Sequence, residues 1–295
     1  MNIKLETMKK IYLFLMAMAS ISMISVSCTK EMMDYQGPES IYFAVRNGNT
    51  YMSSDGWPYV PFTNVEFVKT TDDEITVNLL LRATGESKAY PRTIDFQAIA
   101  DSTNAIEGVH YSMPRSVVLE AGKTETNIPV KFKRTPEMKS ELIKLQIKLL
   151  ANNDFSLIFK SWANPKDLNS GTIYEGFDAS RHNIICSDII VKPANWIGSF
   201  DASTKKEKSA FGEFSPKKFL LIQSVMGYTY SDFMSSQTMT IGVQYAISRY
   251  MSNYLVGKYK AHEPVLEDDG RLMWFEYCPW SSYFGVPWDG VYVEY

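Results

Sequence analysis

Ile143, Leu145, Ile147 and Leu149 alternate with Lys144, Gln146 and Lys148. A strand turns successive side chains to opposite faces, so this stretch gathers its apolar residues on one side only as β-structure. The same period recurs along the first half of the chain. Ile75, Val77, Leu79 and Leu81 alternate with Thr76, Asn78, Leu80 and Arg82, and Ile94, Phe96 and Ala98 repeat the pattern. Ile41 and Phe43 begin an opening strand, and Val117 with Leu119 makes a short one. Ile128, Val130 and Phe132 form another, in which Pro129 has no N–H for a ladder and is expected at an edge or a bulge. Turn signals such as Asp55-Gly56, Trp57-Pro58 and Ala121-Gly122 separate these runs. Short strands at regular spacing indicate an Ig-like β-sandwich over residues 40–155.

Beyond residue 155 the period changes. Phe155 to Ser180 reads as a connector, and Ile184 to Val191 as an apolar strand. Ser215 caps a helix, Pro216 enters its first turn and Gly227 stops it; Phe219, Ile222 and Met226 share its buried face. A second helix is expected from about Thr240 to Ala261. Val243, Ala246, Ile247, Tyr250, Tyr254 and Gly257 fall at three- and four-residue steps on its expected core face, with Arg249, Ser252 and Lys260 opposite. Val265 to Phe275 reads as a hairpin turning at Asp269-Gly270. The fold class is therefore mainly β with a mixed α/β C-terminal part: a sandwich followed by a smaller α+β domain with two helices over residues 156–295.

The N-terminal segment carries an address. Lys9-Lys10 precedes an apolar run from Ile11 to Val26, and Ser25-Val26-Ser27-Cys28 follows. A basic region, a short apolar core and small residues before a cysteine make a lipoprotein signal over residues 1–27, with Cys28 as the acylated N-terminus. The run is too short and too rich in serine to span a bilayer. Residues 28–39 then form a polar tether, in which Thr29-Lys30-Glu31 partly matches an export signal for the outer face of the outer membrane. The whole chain has a formal charge of −3. Removing Lys4, Glu6, Lys9 and Lys10, net +2, leaves about −5. This charge excludes the electrostatic footprint of a nucleic-acid binder.

Ala105-Ile106-Glu107-Gly108-Val109-His110-Tyr111, with Val117 to Gly122 and Thr126 to Val130 after it, resembles the Calx-beta pattern. His110 stands where that pattern has Asp, so a calcium role does not carry over. Arg134-Thr135-Pro136 and Asn153-Asp154-Phe155 make the whole more similar to a Bacteroidota lipoprotein family, domain-of-unknown-function family 4843, over most of the mature chain. The resemblance implies neighbours of the SusC/SusD import type and a role in nutrient capture.

No phosphate loop, HExxH or Gly-x-Ser-x-Gly occurs. His110, His182 and His262 have no nucleophile or carboxylate placed for a triad, so neither a catalytic site, a metal site nor a cofactor is expected. Glu267-Asp268-Asp269 lacks the EF-hand order of ligands and is better explained as a hairpin tip. Cys186 and Cys278 either pair or pack as buried thiols, the second being favoured. The strongest binding signal is the aromatic C-terminus, where Trp280, Tyr283 and Trp288 are the candidate contacts for a glycan, a peptide or a partner subunit. Large rings are also ordinary core material. Three functions follow from these readings: a non-enzymatic accessory of an outer-membrane SusC/SusD-like importer, an envelope hydrolase, or a structural or adhesive surface module.

Overall fold

The alternating segments pair into two sheets, each with one dry face. The computed structural model describes residues 37–48, 53–168 and 170–295. The signal, Cys28 and nearly all of the expected tether lie outside these. Among the described residues no helix is long and apolar enough to cross a membrane.

The first sheet has the order β1 (Ile41–Phe43), β3 (Glu74–Ala83), β7 (Glu125–Lys133), β5 (Tyr111–Ser112), antiparallel throughout. The second runs β2 (Phe62–Glu66), β9 (Arg181–Ser187), β8 (Ile143–Leu150), β4 (Arg92–Ala98), β6 (Ser116–Leu119). Leu79 stands opposite Ile128 and Val77 opposite Val130, so the apolar sets of β3 and β7 coincide. They pack in one core with Ile94, Phe96, Leu145, Ile147, Leu149 and Ile184 from the other sheet. Burying such side chains contributes roughly 1.5–3 kcal/mol each.

Three details depart from expectation. β7 is not the outermost strand, because β5 lies beyond it. β5 pairs only with Phe132 and Lys131, however, so Pro129 has no ladder partner on that side and its missing N–H costs nothing there. β2 pairs in parallel with β9, and β9 starts at Arg181, three residues before the expected strand, and ends at Ser187 rather than Val191. β9 also pairs with β8, so the sandwich includes residues 181–187, beyond the boundary expected at 155. The intervening connector folds back over Tyr42 and Tyr59 and forms a small aromatic core with Phe159, Trp162 and Phe177. Asn164 fixes it, accepting from Tyr59 N at 2.7 Å and donating to Tyr59 O at 3.2 Å.

The C-terminal part holds a short hairpin, β10 (Ser199–Asp201) and β11 (Lys206–Lys208), and three helices: α1 (Pro216–Met226), α2 (Tyr230–Met234) and α3 (Ile241–Lys260). The α1 boundaries have the expected chemistry. Ser215 Oγ accepts from Lys218 N at 3.0 Å, and Gly227 ends the helix at φ +77°. α2 is an addition to the expected pair, closed by a capping box between Thr229 and Asp232.

α3 is present, but its core face is a corrected one. Gln244, Ile247, Ser248, Met251, Ser252, Leu255 and Tyr259 are buried, while Ala246, Tyr250 and Gly257 are exposed. The helix is turned by about one residue, some 100°. The cause is polar: Gln244 Oε1 accepts from Ile197 N at 2.7 Å and its Nε2 donates to Met239 O at 3.1 Å. This bonding lets an amide occupy a position that an apolar pattern assigns to solvent. Tyr250 faces out, and Arg249 lies over the Tyr277 ring at 4.4 Å. The expected hairpin at Asp269-Gly270 keeps its turn, with Gly270 at φ +82°, but has a single bridge, Leu266 to Leu272, in place of full strands. Cys186 and Cys278 are both free, Cys186 in the sandwich core and Cys278 beside the helical one. Burial pushes the Cys186 thiol up to about 12, which makes it inert.

Candidate functional site

The end of α3 positions the C-terminal aromatics. Tyr259 lies one turn beyond Leu255 on the buried face, and its hydroxyl accepts from Val293 N at 2.7 Å. The same hydroxyl and the Trp288 indole, at 3.5 and 3.2 Å, donate to Val291 O. These bonds pin the last residues across the end of the helix. The Tyr259 ring is then surrounded by Trp280 (5.3 Å between centroids), Tyr292 (5.0 Å), Tyr295 (5.6 Å) and Trp288 (6.0 Å).

A groove of about 500 Å³ opens beside this cluster, lined by Tyr259, Tyr292 and Tyr295, with Lys260, His262 and Glu294 as its polar lining. Tyr292 and Tyr295 are 39% and 46% exposed, so their rings are half free. His262 has φ +62°, in the left-handed region where glycine is usual after a helix. That conformation costs a non-glycine residue of order 1 kcal/mol. It seats the imidazole against Tyr292, 4.3 Å between ring centres. Among the described residues Lys260 forms no ion pair. The groove thus combines half-exposed aromatic rings with separate donors and acceptors at its edge.

The three residues singled out from sequence are not one surface. Trp280 is 6% exposed and donates its indole N–H to Met273 O at 3.1 Å, so it supports the groove from below. Trp288 is half-buried behind the lining, edge-on to Tyr292 at 5.0 Å between centroids. Tyr283 lies elsewhere, under Lys206 at 5.0 Å, beside Phe284, which packs on Phe200. Sequence reasoning missed Tyr259, Lys260 and His262 as site residues. Their only signal was position, at the end of a helix just before an aromatic-rich segment.

A second constellation contains the acids that a hydrolase would need. Lys218 Nζ lies 2.7 Å from Glu207 Oε2 and 3.3 Å from Glu267 Oε1, and it donates to the Phe211 and Glu213 carbonyls at 3.1 Å. Arg271 reaches Glu207 Oε1 at 2.9 Å and Asp269 Oδ2 at 2.6 Å, and Ser282 Oγ donates to Glu207 Oε1 at 2.9 Å. Burial works to raise the Asp269 carboxyl, but N–H groups of Gly285 and Arg271 and the Arg271 charge hold it below its usual range. The Lys218 and Glu207 side chains have no solvent exposure. No substrate reaches them, and each charge is already paired. The network ties β11, α1, the Asp269 turn and the segment after Trp280 together. Deleting one member would leave a buried charge uncompensated, which is strongly destabilising.

His110 is held in the turn before β5 by both ring nitrogens. Its Nδ1 accepts from Ile106 N at 2.9 Å and its Nε2 lies 2.6 Å from Glu137. The hydrogen bond from His110 holds the Glu137 carboxyl below its usual range. One ring nitrogen thus closes the turn at Ile106 and the other engages the Glu137 carboxylate.

Residues 35–174 match the model of a domain of unknown function (DUF4843). The match ends before β9 and leaves out the C-terminal part. No curated protein matches this chain. Among solved structures, similar folds include a protein of unknown function from Bacteroides ovatus (15% identity over 50% of this chain and 43% of that one, TM-score 0.32). Another is the apo form of the Calx CBD1 domain (11%, 52% and 100%, TM-score 0.30). A third is an auxiliary nutrient binding protein from Bacteroides thetaiotaomicron (13%, 49% and 52%, TM-score 0.29). The match spans about half the length of the two Bacteroides chains.

Proposed function

We propose that this chain is an outer-membrane lipoprotein, tethered through Cys28, that retains carbohydrate as a non-enzymatic accessory of a SusC/SusD-like importer. The observation that carries the binding role is the groove at the end of α3. A pyranose presents apolar C–H faces and a rim of hydroxyls. Tyr292 and Tyr295 offer half-exposed ring faces, and Lys260, His262 and Glu294 offer the polar partners. A peptide would use the same rings but would favour a deeper apolar pocket for its side chains. Catalysis is the weaker reading, because Glu207 and Glu267 are buried and paired with Lys218 and Arg271, and Asp269 is paired with Arg271.

The test combines Tyr292→Ala with Tyr295→Ala and screens glycan and peptide panels with both proteins. Oligosaccharide binding weakened at least about tenfold in the double variant, roughly the 1.4 kcal/mol of one lost contact, supports the reading. Binding of peptides alone, or of sugars equally by both proteins, refutes it. Separately, Cys28→Ser is expected to release the protein from the membrane fraction and to abolish co-purification of importer subunits.

A further inference from the structure

We infer that a second cavity, where the sandwich rim meets α1, is a binding site for a small monocarboxylate with an apolar body. It measures about 550 Å³, within the range of small-molecule sites, and is remote in chemistry from the aromatic groove. One wall is apolar: Val68, Ile190, Phe219 and Leu220. Leu220 is 46% exposed, a large side chain left open at the edge of the cavity.

The charged lining consists of Arg134 and Lys139 and of Asp188, which directly follows β9. Arg134 is used unevenly. Its Nη2 donates to both Phe67 O and Thr70 O at 2.6 Å. Its Nη1 stands 3.7 Å from Asp188 Oδ2, too far for a hydrogen bond, and its buried Nε makes none within the protein. One nitrogen therefore anchors the guanidinium, Nε is sealed in the protein, and donor capacity on Nη1 is left over. Among the described residues Lys139 forms no ion pair. Asp188 offsets Arg134, so the lining carries one surplus positive charge. A single surplus charge, with the Arg134 Nη1 and Lys139 Nζ donors, fits a monoanion and not a doubly charged phosphate. The apolar wall fits a hydrocarbon or aromatic body attached to it.

The test uses calorimetry on the full chain carrying Cys28→Ser, with 4-phenylbutyrate as probe and 4-phenylbutanol as its neutral counterpart. The acid is expected to bind with Kd below about 1 mM and the alcohol at least about tenfold more weakly, the scale of one charge-assisted hydrogen bond. Lys139→Gln, at an exposed position, is expected to weaken the acid about tenfold. Leu220→Asp, also exposed, is expected to abolish binding. Thermal denaturation of both variants checks that the fold survives. Arg134→Ala is avoided because Arg134 holds two backbone carbonyls. Equal binding of acid and alcohol, absence of saturable binding by the acid, or unchanged binding in both folded variants overturns the assignment. Oligosaccharide binding at the aromatic groove is expected to be untouched by either substitution.

Discussion

At the scale of single residues, two side chains behave against their type. His182 has no solvent exposure; its Nε2 lies 2.9 Å from Thr63 Oγ1 and its ring 5.3 Å from Phe43. Burial lowers its pKa from 6.5 to about 3. As pH falls through about 6.5 the unfolded chain takes up a proton that the folded chain refuses until about 3. Stability contributed here is therefore lost as pH drops through that window, with a slope of up to about 1.4 kcal/mol per pH unit. Urea denaturation at pH 7 and pH 5 checks this: His182→Phe is expected to show a smaller stability difference than the parent chain, and equal differences would reject it. Lys218 is the other case. In sequence it is a lysine in a helix's first turn, normally solvated. Its burial depends on Glu207 and Glu267 converging on it in space, which no local pattern announces.

Elements were legible where one face is dry and the period is unambiguous. β3, β7 and β8 follow the alternation residue by residue, because a strand has only two faces to choose between. β2 leaves little trace in the sequence, because Val65 is its only buried residue and its pairing with β9 is parallel and distant. α3 was legible as a helix but not in its rotation, because Gln244, Ser248 and Ser252 occupy core positions. The difference is measurable. Met251→Ala is expected to cost about 2–5 kcal/mol by removing a fully buried side chain. Tyr250→Ala is expected to stay within about 0.5 kcal/mol, since the ring is more than half exposed. Equal denaturation midpoints for the two variants would contradict the observed face.

At the scale of the whole molecule, the sandwich was readable and the C-terminal part only in outline. The aromatic concentration near the end pointed to the right region. Which rings stay open depends on Tyr259 pinning residues 291–293, a contact between the helix and the tail that composition does not encode. Trp280, conspicuous in sequence, is spent as support, while Tyr292 and Tyr295 keep accessible faces. The central claim is that this groove holds sugar. Its most direct measurement is the set of tryptophan indole N–H resonances, followed as a binding oligosaccharide is titrated into the 15N-labelled chain. The Trp288 signal, bonded to Val291 O and with its ring 5.0 Å from that of the groove residue Tyr292, is expected to shift, while Trp196, bonded to Gly212 O in the interior of the helical core, stays fixed. A saturable titration that leaves Trp288 unmoved would contradict the groove as the binding site.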